Sequence, residues 1–361
     1  MASIPGVAPV SAGAPATPSA TAAPFDRFLL GPRADAFFFG PGATLVIGGL
    51  FLLLPHLGAQ AASLGSSLVI ALSLLLVGPH YGATYRRAYT SRDVIRDHPW
   101  VTLVAPPILL VAALAAVRDP TRIGLGYFGL YVAWSGFHYS RQSLGIAMLY
   151  PLRQGARLDA REKRLLGLPL YVSWILSLLG MFRLSGSARN PAYEAVRRAY
   201  PGPMLPGWVM GLGLAVLALS MLAVVVVARG RRARGVPLPW PTYAVLSAQI
   251  LWFTIALYHP LFNITLVPMF HGLQYLALTS WHATREPGAG SPWRFVRYLV
   301  VVLGLGFVIR PLLFVAFNSP DEARTLLATA AVASFVNLHH FLLDGRIWRL
   351  RERRVAQTMT A

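Results

Sequence analysis

Residues 207–234 read GWVMGLGLAVLALSMLAVVVVARGRRAR. From Gly207 to Ala228 every residue is apolar or small, and at 1.5 Å per residue such a helix matches a hydrocarbon core ~30 Å thick. Then come Arg229, Arg231, Arg232 and Arg234, a basic run of the kind retained on the cytoplasmic side of a bilayer. A helix apolar on all sides and closed by arginines reads as a membrane span with an inner end.

The rest of the chain follows the same pattern. Of 361 residues, 55% are hydrophobic and 12% charged, about half the charged share of a soluble domain, and mean hydropathy is +0.55. Ten apolar blocks fall at 37–57, 64–84, 101–117, 124–149, 165–182, 207–228, 242–258, 262–282, 298–317 and 325–345. Only Tyr258-His-Pro-Leu-Phe262 separates the seventh from the eighth, and Pro260 suits a break there.

With the N-terminus inside, the basic residues alternate from loop to loop as a cytoplasmic bias requires. Inner segments hold Arg27 and Arg33; Arg86, Arg87, Arg92 and Arg96; Arg153, Arg157, Arg161, Lys163 and Arg164; the run after 228; Arg285, Arg294 and Arg297; and Arg346 to Arg354. Outer loops hold Arg118, Arg122, Arg183, Arg189, Arg197, Arg198 and Arg324. Arg141 and Arg310 fall within spans. The expected fold is an all-α, polytopic integral membrane helical bundle of about ten transmembrane helices, N-in and C-in. The bacterial inner (cytoplasmic) membrane is the expected location.

Residues 1–24 form an Ala/Pro/Ser/Thr/Gly tract without charge or periodicity, expected as a disordered cytoplasmic tail rather than a signal peptide. Residues 25–345 are the transmembrane helical domain and 346–361 a basic cytoplasmic tail. The outer loop 183–206 is broken by four prolines, with a short surface helix expected around Tyr193–Tyr200. No internal repeat is visible. The net charge of +19 lies in short runs that face headgroups, so the bilayer rather than a nucleic acid is the expected partner. The absence of cysteine excludes disulfides, thiolate ligands and cysteine nucleophiles.

Ionisable groups inside a bilayer are costly and tend to mark function. His80 stands near the inner end of the second block, in Gly78-Pro-His-Tyr81. His138 lies at or below the middle of the fourth, in Gly136-Phe-His-Tyr-Ser-Arg-Gln142. The eighth carries His271 near its middle and His282 at its inner end; the tenth ends with Asn337, His339, His340 and Asp344. Four helices thus deliver histidines to one depth, whereas His56, His98 and His259 read as interface or loop residues. His271 and His282 share a helix face but lie about 16 Å apart along it, too far to share an ion. His340 and Asp344 at i,i+4 are neighbours, a ligand with its orienting carboxylate. Gln142, Gln249, Asn263, Gln274 and Asn337 are expected to link helices through hydrogen bonds.

Asp344 is the one carboxylate within a block, which speaks against proton-coupled transport. No Glu-x-x-His pattern, G-x-S-x-G elbow, Walker loop or dinucleotide fingerprint is present.

The set His80, His138, His271, His282, His339 and His340 resembles the design of integral-membrane non-haem iron oxygenases: fatty-acid desaturases and hydroxylases, and membrane β-carotene dioxygenases of the Brp/Blh type. The H-x-x-x-H and H-x-x-H-H boxes of desaturases have no counterpart beyond His339-His340. The resemblance therefore implies a single non-haem iron on about four histidines. His80, His138, His282 and His340 are the first choice of ligands, with His271 and His339 as substitutes. It further implies oxidation of a lipid or isoprenoid reaching the site from the bilayer, with an electron donor as a further partner. Asp344, orienting an imidazole, and Arg141, holding the substrate's phosphate or carboxylate, are the candidate catalytic residues. Neutral imidazole also suits zinc and copper. Two alternatives stand beside this reading: a b-type haem or quinone-linked electron carrier, and a transporter or assembly factor without chemistry.

Overall fold

The computed structural model describes residues 28–185, 206–285, 292–316, 322–348 and 359. The 1–24 tail, most of the 346–361 tail and the segment around Tyr193–Tyr200 lie outside the described residues.

The chain is all-α, and no strand occurs among the described residues. Helix α1 is Pro32–Phe38, α2 Gly49–Leu53, α3 Ala59–Thr90, α4 Arg92–Asp97, α5 Ala105–Arg118, α6 Leu125–Arg153 and α7 Ala160–Ser185. The order continues with α8 Gly207–Ala233, α9 Trp240–Ala256, α10 Pro260–Ala283, α11 Pro292–Ala316 and α12 Glu322–Ile347.

Among the described residues, three helical stretches are long and apolar enough to cross a membrane: Ala59–Thr90, Trp100–Arg118 and Gly207–Ala233. They point to a membrane protein. Helices α6, α10 and α12 instead carry the buried His, Gln and Asn side chains that meet inside the bundle, which lowers their mean hydropathy without exposing those groups.

The first apolar block is not one helix. Gly40-Pro41-Gly42 separates α1 from a π-helical turn, Thr44–Gly48, and Pro55 lies in a closing 3₁₀ turn, Leu54–Leu57. Proline removes a backbone donor, and each break falls beside one. The seventh and eighth blocks part where expected, α9 ending at Ala256 and α10 starting at Pro260 in the first turn.

Helix α3 crosses α11 at backbone contact. A Cβ on Gly82 would collide with the Val302 carbonyl oxygen, and one on Gly306 with the Pro79 backbone nitrogen. On another side, a Cβ on Gly272 would lie 3.0 Å from the Leu76 carbonyl oxygen and 3.3 Å from His80 Nδ1. Small residues therefore bring α3 close to both α10 and α11 and set the depth of His80 between them.

Polar links then fix the helices in register. Gln249 Nε2 donates to Ser140 Oγ at 2.8 Å and to the Leu170 carbonyl at 3.2 Å, tying α9 to α6 and α7. Gln142 Nε2 donates to the His271 carbonyl at 3.1 Å, and Tyr81 Oη to Asn337 Oδ1 at 2.6 Å. Gln274 Nε2 reaches the Phe39 carbonyl at 2.9 Å. An aromatic core including Tyr81, Tyr139, Trp252, Phe262 and Phe270 packs beside these links.

The basic helix ends meet one another. Arg153 and Arg285 both lie over Trp281, at 5.3 and 4.4 Å, and Arg87 lies over Trp348 at 4.0 Å. Arg231 pairs with Glu162 at 3.0 Å, and Arg234 joins the same carboxylate. Helix α7 opens with a reciprocal cap: Glu162 N–H donates to Asp159 Oδ1 at 2.8 Å, and Asp159 N–H to Glu162 Oε2 at 3.0 Å. The Glu162 N–H, chiefly, holds the Asp159 carboxyl below its ordinary value. Asp35 anchors the start of α1 by accepting the N–H groups of Leu29 and Leu30 at 2.9 and 2.8 Å. Burial pushes its carboxyl up, against the pull of those two donors.

Candidate metal centre

Each of four helices brings one histidine to a common point: His80 from α3, His138 from α6, His271 from α10 and His340 from α12. All four are buried. The ring centroids lie 4.8 Å apart for His80–His340 and 4.9 Å for both His138–His271 and His138–His340. The His80–His271 separation is 5.3 Å.

Two overlapping ligand sets emerge. His80, His271 and His340 offer nitrogen atoms within 4.8 Å of one another, and so do the ligand atoms of His138, His340 and Asp344. His340 belongs to both sets. One ion position on His340 would therefore draw its other ligands from His80, His138, His271 and Asp344.

Asp344 presents its two oxygens differently. Oδ1 accepts from the Tyr275 hydroxyl at 2.8 Å and the Thr84 hydroxyl at 3.0 Å. Oδ2 faces His340 Nε2 at 3.5 Å and His138 Nε2 at 3.9 Å. The carboxylate is thus anchored on one side and offered on the other. Trp348 Nε1–H donates to Tyr275 Oη at 2.8 Å and completes the support.

The same network bears on the tautomer of His340. Thr84 Oγ1 lies 2.7 Å from Tyr275 Oη and 3.0 Å from Asp344 Oδ1; when it gives its proton to either, its oxygen accepts from His340 Nδ1, 2.9 Å away. With the proton on Nδ1, the Nε2 lone pair is left for an ion. His340 Nε2, His138 Nε2 and both ring nitrogens of His271 are buried without a hydrogen-bond partner. Buried polar atoms are almost always paired. Several such nitrogens around one point form a donor set that suits a cation.

The remaining histidines have other settings. His339 points away from the cluster: its Nε2 lies 3.0 Å from the Val101 carbonyl and 3.3 Å from Tyr89 Oη, and its Nδ1 lies 3.3 Å from Tyr85 Oη. His282 Nε2 lies 3.3 Å from Arg87 Nη1, its ring against Trp348. The structure brings together His80, His138, His271, His340 and Asp344, and leaves His282 and His339 outside.

Sequence reasoning passed over Thr84 and Trp348. The signal was available, since Thr84 follows His80 and Trp348 follows Asp344 by four residues, one turn along a helix. Arg141 is exposed and lines a cavity of about 560 Å³ with Lys163, His138, Gln142, Tyr275 and Asp344. Nothing in the sequence marked Lys163 as facing that space. The side chain of Arg310 lies outside the described residues.

No family model matches this chain, no curated protein matches it, and no solved structure matches its fold. The buried cluster itself is what marks a site.

Proposed function

We propose that this protein is an integral membrane metalloenzyme, an iron-dependent oxidoreductase of the oxygenase, hydroxylase or desaturase kind, acting on a lipid or isoprenoid from the cytoplasmic side. The observation that carries the reading is the buried convergence of four imidazoles and one half-anchored carboxylate, several of their ligand atoms without hydrogen-bond partners.

His80, His138, His271, His340 and Asp344 are the residues that would hold the ion. Nitrogen and oxygen donors without sulfur suit iron, and two histidines with one carboxylate, the His138–His340–Asp344 set, are the ligand type of non-haem iron oxygenases. Bound iron would supply the activation of dioxygen, with electrons from a separate donor. The chain's own groups support it: Thr84 holds the His340 tautomer, Tyr275 and Trp348 brace Asp344, and Arg141 faces the cavity where a substrate head would lie. Four imidazoles packed edge to face around one point favour an ion over haem b, whose two axial histidines stand on opposite faces of a flat macrocycle.

The proposed topology is about ten spans with both termini inside, in a bacterial inner membrane. Its support is that the basic ends of α3, α6, α8 and α10 gather with Trp281, Trp348 and Glu162, as cytoplasmic ends should. The exposed apolar side chains along α3, α5 and α8, such as Ile70, Val111 and Leu219, would then face lipid.

The test is elemental and optical analysis of detergent-purified protein. Near-stoichiometric iron that is lost in His138→Ala supports the reading. Clean, folded protein without metal refutes it, and a Soret band would replace it with the haem-carrier reading.

A further inference from the structure

A second cavity, about 420 Å³, is lined by Tyr131, Ser135, Tyr139, Trp174, Ile264 and others, mostly aromatic or aliphatic. Ile264 is 47% exposed, so the cavity opens onto the apolar outer surface. Four helices, α6, α7, α10 and α12, line both it and the 560 Å³ cavity. On α6 the apolar cavity takes residues from Phe128 to Tyr139, and the other takes His138 to Leu149. On α10 the apolar cavity takes Asn263 to Pro268, then comes His271, then Tyr275 and Leu278 of the other. On α12 Ala333 lines the first, His340 follows, and Asp344, Gly345 and Trp348 line the second.

The histidine cluster thus lies between two spaces that differ in charge. On one side the walls are apolar and open to the lipid-facing surface; on the other the cavity carries two exposed cations, Arg141 and Lys163. The spaces adjoin along one stripe of α6, where Ser135 and Tyr139 of the first lie one turn from His138 and Gln142 of the second. Tyr139 also lies on His271, their rings 4.3 Å apart.

We propose that the substrate is a single-chain amphiphile with an anionic head, a carboxylate or a phosphate. Its head sits at Arg141 and Lys163, and its chain runs past the cluster into the apolar cavity. This rests on the metal-centre reading for its chemistry, though not for its binding. The arrangement places an internal carbon of the chain, rather than its end, beside His138 and His271. The depth of the apolar cavity then limits the length of chain accepted.

The experiment measures binding of saturated fatty acids and of alkyl monophosphates, each in a series of increasing length, to full-length detergent-purified protein, with iron content determined on the same samples. Partition of each ligand into micelles is measured without protein, and affinities are expressed against free aqueous ligand. Affinity so expressed is expected to rise about fourfold per methylene buried and then to stop rising at a limiting length. Ala333→Phe, which fills the apolar cavity, should move that limit to shorter chains with iron content unchanged; Ala133→Leu is a milder second filling. Arg141→Gln with Lys163→Gln should weaken all lengths alike, by about tenfold. Tighter binding of one series identifies the head. Folded Ala333→Phe and Ala133→Leu proteins that keep the wild-type limit overturn the proposal, as does failure of both series to bind. Iron-free protein whose limit still moves would sink the metal centre and leave the binding site standing.

Discussion

His339 and His340 are adjacent in sequence and buried on one helix, yet their surroundings differ. His339 is enclosed by Tyr85, Tyr89 and the Val101 carbonyl. His340 meets three other imidazoles and turns a bare Nε2 toward the Asp344 Oδ2. Successive residues on an α-helix point about 100° apart, so one stays on the α3–α5 side while the other faces the centre. The contrast separates two uses of a buried imidazole: one satisfied by protein donors and acceptors, and one left to be satisfied by something else. His271 and His282 repeat it along α10, the first with both nitrogens bare, the second beside Arg87 and Trp348.

The comparison breaks most decisively on metal content. On the proposed metal-centre reading, His340→Ala or His271→Ala should abolish iron binding, whereas His339→Ala and His282→Ala should preserve it; elemental analysis of folded protein reads the difference. Retention in His340→Ala together with loss in His282→Ala would reverse the assignment of the two groups. Asp344→Asn comes next. It keeps the shape of the carboxylate but removes its charge, and metal affinity should fall about 10–100-fold in a chelator competition.

A smaller effect concerns the tautomer. Thr84→Val removes the acceptor for His340 Nδ1–H, and about a tenfold loss of metal affinity is expected, at the lower end of such supporting contacts. Thr84→Ser should restore it. A Thr84→Val protein with unchanged affinity would show that Thr84 does not orient His340. On the other side of the comparison, His339→Phe leaves the Val101 carbonyl unpaired, and its cost should appear in stability, about 1–3 kcal/mol, with iron content unchanged.

The smallest effect lies at the α7 start. Asp159 has its carboxyl held below the ordinary 3.8 by the Glu162 N–H. A depressed folded value means that this cap contributes above 3.8 and is lost as pH falls through the lower folded value. Asp159→Asn should therefore flatten the thermal midpoint's dependence on pH below 3.8. An unchanged acid limb would remove the cap from the account.

Much of this was legible before any coordinates. Apolar blocks closed by arginines predict helices, and helices lie on all ten, though the first is broken beside Pro41 and Pro55. The alternation of basic loops leads to the expectation of His80, His138, His271, His282, His339 and His340 at one depth, because depth follows from position along a helix. What depth does not give is direction. Rotation of a helix about its axis is set by its neighbours, here by the glycine contact of α3 with α11 and by the Gln142 and Asn337 links. Those contacts join residues hundreds of positions apart, which no local spacing encodes. The sequence by itself therefore determined an all-α membrane protein and a short list of histidines. Only the tertiary structure decided which imidazoles face one another, because burial on four separate helices becomes a site only when their rotations agree.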